Sequence, residues 1–293
     1  MPLSTTSLLK QAVPNIQYSF SSKRLGLKEI KITGGGFYIA NKFDSSIVKL
    51  NRGLPPDRKM DLASFVQSKF SSDRGLNWQQ LPIPTLLSPN DRQFCELAAS
   101  CRLHVHLFRN KGIPGLYSRK NAPGLVVANG NLGSYLSWRN KDLSTYVSED
   151  AGVSWRQISI LPGVFAITKE GLLVFAVART RTSLFSYSWD AGRTWTTRQF
   201  VQGTGIYLRK LKPTIKKSIS GQLTAELRIF GATSNKRYGL SRASGVMIEA
   251  TFNLTAEVRK CSGVDSVDSK STSDYEHFYP INTNDRLCTL NLT

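Results

Sequence analysis

Short runs of β-branched and aromatic residues recur along the chain, and Gly, Pro, Asn, Asp or Ser bounds each of them. Runs of this length and composition predict β-strands. The predicted strands lie at residues 36–40, 103–108, 124–128, 143–147, 172–178, 183–188, 225–230 and 245–252. Helical periodicity is weak, and Met60–Val66 is the only segment that it marks as a short turn of helix. The pattern therefore predicts an antiparallel all-β protein.

One octapeptide pattern occurs three times within this strand-rich sequence. The copies read SSDRGLNW, SEDAGVSW and SWDAGRTW, and they begin at Ser71, Ser148 and Ser188. The shared positions are Ser71, Asp73, Gly75 and Trp78; Ser148, Asp150, Gly152 and Trp155; and Ser188, Asp190, Gly192 and Trp195. This S-x-D-x-G-x-T-W pattern is the Asp box of sialidase-like propellers, so the repeats predict an Asp-box β-propeller.

The spacing of the three copies indicates the length of the repeating unit. The second and third copies start 40 residues apart, and the first and second start 77 apart. A unit of about 40 residues is typical of one four-stranded propeller blade. The spacing therefore predicts one unit between the first two copies whose motif has decayed, and roughly four to five blades in all.

The residue types of the Asp box suit a structural role in a hairpin turn. The Asp carboxylate can accept backbone N–H groups, the Gly supplies a positive φ, and the Ser or Thr hydroxyl bonds to the turn. We expect the Trp to return into the sheet as a core residue.

An alternative interpretation makes Asp73, Asp150 and Asp190 catalytic carboxylates. They are predicted in equivalent turns of different blades, so they should not converge on one site. A sialidase-type glycosidase also needs an Arg cluster and a Tyr nucleophile near a carboxylate, and the arginines here are scattered along the chain. We therefore predict no catalytic residue and no enzymatic activity.

The chain has four cysteines, Cys95, Cys101, Cys261 and Cys288, which favour an oxidising compartment. Five residues separate Cys95 from Cys101, a short loop that a disulfide can close if the two side chains face each other. Cys261 and Cys288 can pair with each other or with cysteines elsewhere, and both alternatives stay open. No C-x-x-C pair indicates a zinc site. An N-x-T sequon makes Asn253 a glycosylation candidate if the protein is lumenal.

The chain is strongly basic, with a net charge of +19 from 39 Lys and Arg against 20 Asp and Glu. Such a surface attracts nucleic acid, anionic lipid, sulfated sugars or acidic proteins. The densest basic run, residues 209–217 around Pro213, predicts a solvated loop between strands. Neither aromatic platforms nor a recognition helix accompanies the charge, so we expect no nucleic-acid partner.

His104 and His106 alternate on one predicted strand, so both side chains project to the same face and could bind a metal ion. No third ligand is evident nearby in the sequence. We therefore favour a structural role for both histidines, and we predict neither a metal site nor a cofactor.

Longer stretches carry a more specific resemblance than the Asp boxes alone. They read CELAASCRLH from Cys95, SRKNAPGLVVANGNLG from Ser118, TYVSEDAGVSWRQ from Thr145 and FSYSWDAGRTW from Phe185. GFYIA from Gly36 precedes them, and Cys261, DYEHFYP from Asp274 and Cys288 follow them. In this order the segments resemble the sortilin family of sorting receptors, over about residues 30–290.

The resemblance implies part of a ten-bladed propeller, followed in the family by cysteine-rich modules, one transmembrane helix and a cytosolic tail. It also matches the family's short cysteine loop at Cys95 and Cys101. The implied domains are an N-terminal segment of uncertain order at residues 1–25, a partial Asp-box propeller at 26–260 and the start of a cysteine-rich module at 261–293. The family's best-known peptide site lies on blades that would precede this chain, so no ligand-binding residue can be assigned.

The function implied by the resemblance is the binding of peptide or protein ligands in the lumen of the Golgi, in endosomes or at the plasma membrane. The sequence has no apolar stretch long enough to span a bilayer, and Met1–Phe20 lacks the continuous apolar core of a signal peptide. We therefore expect a piece of a membrane-anchored parent protein. The alternatives are a secreted Asp-box glycosidase or lectin, or a truncated paralogue without function.

Overall fold

The computed structural model describes residues 30–253, apart from residues 34–36, 74, 99, 110–111, 179, 204, 218–222 and 234–244. The chain divides into two compact units, Met1–Gly163 and Val164–Thr293. Within the described ranges, no helix is both long enough and apolar enough to cross a membrane.

In its described part, the first unit contains two antiparallel sheets. The first sheet pairs β1 (Ile30–Ile32), β2 (Tyr38–Phe43), β3 (Val66–Ser71) and β4 (Gln79–Gln80) in chain order. The second sheet pairs β5 (Arg102–Val105), β7 (Ala122–Gly133), β8 (Ser144–Ser148) and β9 (Arg156–Ser159), with β6 (Tyr117–Arg119) attached to β7. Along β3, buried Val66, Ser68 and Phe70 alternate with half-buried side chains, as expected of a strand with one covered face.

Among the described residues of the first unit, two α-helices interrupt the strands. α1 (Ser45–Gly53) begins after Asp44, whose carboxylate accepts two backbone N–H groups of the first turn. α2 (Pro89–Leu97) begins after Ser88, whose hydroxyl accepts another. Short 3-10 helices lie at Pro56–Arg58, Leu62–Ser64 and Asn140–Asp142. The prediction that Met60–Val66 is the only helical turn is wrong, because both α-helices are short and are marked by their caps rather than by a long hydrophobic period.

The second unit also contains two antiparallel sheets among its described residues. One pairs β10 (Gly163–Ile167), whose first residue is the last of the first unit, with β11 (Leu173–Val177), followed by β13 (Leu184–Ser188) and β14 (Thr196–Gln199). The other pairs β12 (Arg181–Thr182), β15 (Ile206–Lys217), β16 (Leu223–Ala232) and β17 (Gly245–Asn253). Each of the eight strands predicted from the sequence overlaps a strand of the structure.

The basic segment around Pro213 is a strand, so the prediction of a loop there is wrong. β15 pairs with β16 from Tyr207 to Lys217, and Pro213 lies opposite Leu227. On its other side, β12 pairs only with Ile206 and Tyr207 among the described residues. Pro213 is tolerated because it lies in a part of β15 that forms an edge, where a missing N–H costs no bond to a second neighbour.

Each unit has its own apolar core. In the first unit, Ile39 and Phe70 of the first sheet cluster with Leu103, Tyr146 and Trp155 of the second. The core of the second unit contains Val174, Tyr187, Leu208, Leu227 and Ile229. Full burial of an aliphatic or aromatic side chain contributes about 1.5–3 kcal/mol, so these clusters are the main attraction between paired sheets.

The described residues thus form short antiparallel sheets, in which the strands pair in chain order, packed through apolar faces. This arrangement, together with the three Asp boxes, confirms the predicted all-β Asp-box propeller class. The number of blades in the complete protein stays a prediction, and so do the domain boundaries at residues 25 and 260.

Candidate functional site at the Asp-box turns

The three Asp boxes occupy the same place in three different sheets. They form the hairpin turns that join β3 to β4, β8 to β9 and β13 to β14, which are the third and fourth strands of each sheet. The prediction of an additional unit between the first two boxes is wrong, because no further sheet lies between them in the described residues. The additional residues of the 77-residue spacing form α2, β6 with its turn, and the segment at 134–143, which includes a 3-10 helix.

In the first box, hydrogen bonds from within the turn surround the carboxylate of Asp73. The Ser71 hydroxyl donates to Asp73 Oδ1 at 2.7 Å and accepts the Gly75 N–H at 2.8 Å. The Asn77 backbone N–H donates to both carboxylate oxygens, and its side-chain amide donates to Oδ2 at 2.6 Å. The Trp78 indole N–H closes the turn on the Gly75 carbonyl at 2.8 Å. These bonds, above all that of the Asn77 backbone, lower the pKa of Asp73 to about 2.

The second box repeats this arrangement with Ser154 in place of the asparagine. Asp150 accepts the Ser148 hydroxyl at 2.8 Å, the Ser154 N–H at 2.8 Å and the Ser154 hydroxyl at 2.5 Å. The Ser148 hydroxyl accepts the Gly152 N–H at 2.8 Å, and the Trp155 indole donates to the Gly152 carbonyl at 2.9 Å. The polar side chains shared by the copies of the motif therefore form their hydrogen bonds within the turn itself.

The third box has Thr194 at the same position. Asp190 accepts the Ser188 hydroxyl at 2.7 Å and the Thr194 hydroxyl at 2.6 Å, and it also accepts the Thr194 N–H. The Gly192 N–H donates to Ser188 Oγ at 2.7 Å, and the Trp195 indole donates to the Gly192 carbonyl at 3.0 Å. Burial by itself would raise the pKa of Asp190, but the hydrogen bonds that its carboxylate accepts outweigh it and lower the pKa.

The box glycines adopt backbone angles that other residues rarely adopt. Gly75, Gly152 and Gly192 have φ values of 91°, 111° and 83°. Ala151 and Ala191, each directly before a box glycine, also have positive φ, at 64° and 55°. A positive φ is costly for a residue with a Cβ, so the hydrogen bonds around the Asp must hold these alanines in place.

The three Asp-box tryptophans are not equally buried. Trp155 is 1% exposed and belongs to the core of the first unit. Trp78 and Trp195 are only half-buried. Lys42 Nζ lies 5.7 Å from a ring centroid of Trp78, and the ring of Phe175 contacts Trp195 edge-on. The expectation that all three are core residues therefore fits Trp155 better than the other two.

The chemistry available at these turns is that of a fixed, ionised hydrogen-bond acceptor. A general acid of a glycosidase needs a carboxyl with a raised pKa. Asp73 and Asp190 have lowered pKa values, and the carboxylate of Asp150 is engaged by Ser148 and Ser154. The turns are suited to holding a hairpin in one conformation.

The short cysteine loop lies at the end of α2. Cys95 of α2 and Cys101, directly before β5, form a disulfide with their Cα atoms 5.2 Å apart. Cys101 is buried, so the disulfide fixes the end of the helix to the entry of the second sheet. Cys261 and Cys288 lie outside the described residues, and Asn253 is the last residue of β17.

His104 and His106 are both buried, and their ring nitrogens bond to the protein. His104 Nδ1 accepts the Ser68 N–H at 3.0 Å, and its Nε2–H donates to the Gly133 carbonyl at 3.1 Å. His106 Nε2–H donates to the Ser137 carbonyl at 2.9 Å. Burial lowers the pKa of each histidine to about 4. Both side chains thus serve as neutral links between neighbouring segments.

Sequence reasoning missed a buried asparagine that links three segments of the first unit. Asn129 donates through Nδ2 to the carbonyls of Pro114 and Gly163, both at 2.9 Å. Its Oδ1 accepts the Thr145 hydroxyl and the Gly163 N–H, both at 2.8 Å. The available signal was an amide residue in the middle of the apolar run that forms β7, a position where a polar side chain is stable only when it is hydrogen-bonded.

Comparison with known proteins gives matches at both the sequence and the structural level. A family model described as "Sortilin, neurotensin receptor 3" matches residues 30–211. Vacuolar protein sorting/targeting protein 10 of Chaetomium globosum is 31% identical over 157 residues, which make up 50% of this chain and 10% of that protein. The VPS10 domain-containing receptor SorCS1 of Mus musculus is 34% identical over 140 residues, 46% of this chain and 12% of that protein.

The matched segments therefore span about a tenth of the length of these relatives. Among solved structures, the GH93 alpha-L-arabinofuranosidase of Fusarium graminearum covers 76% of this chain and 60% of its own. Its identity is 12% and its TM-score is 0.28. A likeness at that level carries no argument about function.

Proposed function

Because the chain belongs to the sortilin–Vps10 family, we propose that it is part of a receptor ectodomain that binds peptide or protein ligands and sorts them between the Golgi and endosomes. The observation that carries the proposal is the family match over residues 30–211, which includes all three Asp boxes. Two relatives named as a vacuolar sorting/targeting protein and as a VPS10 domain-containing receptor support it.

In this proposal, the Asp boxes hold the blades and do not touch the ligand. Asp73, Asp150 and Asp190 each receive at least three hydrogen bonds from their own turn. Carboxylates held in this way have little free capacity to bind another molecule. We therefore assign no ligand-binding residue to these positions.

A second part of the proposal is that the protein is not an enzyme. A retaining or inverting glycosidase uses two carboxyl groups at one site, and one of them has a raised pKa. The box carboxylates lie on three different sheets, and those of Asp73 and Asp190 have lowered pKa values. A panel of aryl glycosides tests this point, and turnover that is lost in Asp73→Asn or Asp190→Asn would contradict it.

The receptor role is tested by removing the protein from cells that express it. We expect soluble lumenal hydrolases to be secreted instead of retained, because a sorting receptor diverts its ligands from secretion. Re-expression of the wild-type chain within its parent protein should restore retention, and Trp155→Ala, which removes a core side chain, should not. Unchanged secretion after depletion would count against the proposal.

The proposed lumenal location has its own test at Asn253. A chain that passes through the secretory pathway can carry an N-linked glycan at this sequon. We expect Asn253→Gln to remove a mobility shift that an endoglycosidase also removes. The same protein found in the cytosol by fractionation would exclude a lumenal receptor, and it would favour the alternative of a paralogue without this function.

A further inference from the structure

The outer face of the β15–β16 hairpin carries a row of lysines. Leu208 and Leu211 of β15 are buried against the core of the second unit, whereas Lys210, Lys212 and Lys216 are exposed. A β-bulge between Leu208 and Lys210 sets this register, so the three lysines project from the same face. We call Lys210, Lys212 and Lys216 the lysine ladder. At about 3.4 Å per residue it extends over roughly 20 Å.

The neighbouring strand adds to the positive charge of this face. Arg228 of β16 lies directly opposite Lys212, and Glu249 holds the next register position on β17. Lys216 forms an ion pair with Glu226, while Lys210 and Lys212 make no hydrogen bond or ion pair with any described residue.

Neither a second copy of the chain nor a folded protein suits this face. Each copy carries a net charge of +19, so two copies repel each other. A protein interface has an apolar centre from which lysine is depleted. The centre of this face is instead Lys212, which is exposed and lies beside another basic residue.

The strength of exposed ion pairs decides between the remaining anionic partners. Each exposed pair with a carboxylate changes an equilibrium constant by at most about fivefold, so a short acidic peptide gains little from three lysines. A dense linear polyanion gains more, because each neutralised charge also releases condensed counterions. We propose that the lysine ladder binds a linear sulfated polysaccharide.

The test measures binding of the full chain to a size-defined heparin oligosaccharide at several salt concentrations. We expect Lys210→Gln/Lys212→Gln to weaken binding about tenfold or more near 0.1 M salt, because about two contacts are lost. The slope of log Kd against log salt should fall by roughly 1 to 2. The matched control is Lys120→Gln/Lys141→Gln, which removes the same charge from two exposed lysines of the first unit.

A second measurement does not depend on a variant. Acetylation of lysine amines in the wild-type chain, with and without heparin, reports which lysines the ligand covers. We expect strong protection at Lys210, Lys212 and Lys216, and little at Lys120 and Lys141.

Several results would overturn the proposal. One is that the control pair weakens binding as much as the ladder pair, since the attraction would then come only from net charge. A second is that desulfated heparin or polyglutamate binds with the same affinity as the sulfated heparin oligosaccharide. A third is that phosphatidylserine vesicles bind more tightly than heparin. A fourth is that heparin does not protect the ladder lysines from acetylation.

Discussion

Acidification should destabilise the first unit through His104 and His106. Both side chains are 1% exposed, and each bonds as a neutral ring, with Nδ1 of His104 accepting the Ser68 N–H. Protonation would turn that acceptor into a donor and would place a charge inside the core. Burial is the largest cause of the low pKa of both histidines, and Lys69 lowers that of His104 further.

The size of the effect follows from the two pKa values. In the folded protein each ring stays neutral down to about pH 4, whereas in the unfolded chain it binds a proton below about pH 6.5. The unfolded state therefore binds more protons between these limits, and stability is lost as the pH falls. From pH 7 to pH 5 each histidine lowers the free energy of unfolding by about 2 kcal/mol, and the pair by about 4 kcal/mol.

Urea unfolding of the full chain at pH 7, 6 and 5, followed by far-UV circular dichroism, measures this loss. We expect His104→Gln and His106→Gln each to remove about half of the pH dependence, whatever their effect on stability at pH 7. Equal stability of the first unit at pH 5 and pH 7 would contradict this prediction. So would two single variants that both keep the full wild-type dependence of stability on pH.

Three further predictions concern the first unit and are measured by the same unfolding assay at pH 7. Gly152→Ala should lower the free energy of unfolding by about 2–3 kcal/mol, because φ at this position is +111° and the new Cβ would lie 2.9 Å from a buried isoleucine of β2. The control Gly53→Ala places its Cβ in open space and should not lower the free energy of unfolding. Replacing both Cys95 and Cys101 by serine should lower the free energy of unfolding by about 2 kcal/mol, and reduction of the wild-type disulfide should lower it by the same amount. An unchanged free energy of unfolding would mean that the disulfide does not constrain the unfolded chain. Trp155→Phe should lower the free energy of unfolding by about 2 kcal/mol, because the buried Gly152 carbonyl loses its hydrogen-bond donor. Trp78→Phe removes the equivalent hydrogen bond at a half-buried site and should lower it less. Equal losses in the two variants would contradict this comparison.

The Asp-box turns were the most predictable part of the structure. Their residues act within eight positions of one another, so local chemistry alone sets the pairing of Ser148, Asp150 and Trp155. The strands were also predictable, because runs such as residues 172–178 are apolar and bounded by turn residues. Signals of this kind depend on neighbours in the sequence.

The parts that sequence analysis missed depend on distant neighbours or on caps. β15 carries a proline and many lysines, and only pairing with β16 makes it a strand. α2 begins at the dipeptide Ser88–Pro89, a cap signal that strand-like surroundings obscured. Asn129 bonds to residues up to 34 positions away, and no sequence window shows such a network.

Lumenal proximity labelling tests the central claim, that the chain is part of a sorting-receptor ectodomain, more directly than any stability measurement. A labelling enzyme fused next to the chain in its parent protein would mark the proteins that surround it in living cells. We expect soluble lumenal hydrolases and membrane proteins of the Golgi and endosomes to be labelled, and we expect Trp155→Ala to lose the labelling of the hydrolases. Labelling of cytosolic proteins alone would contradict the receptor assignment.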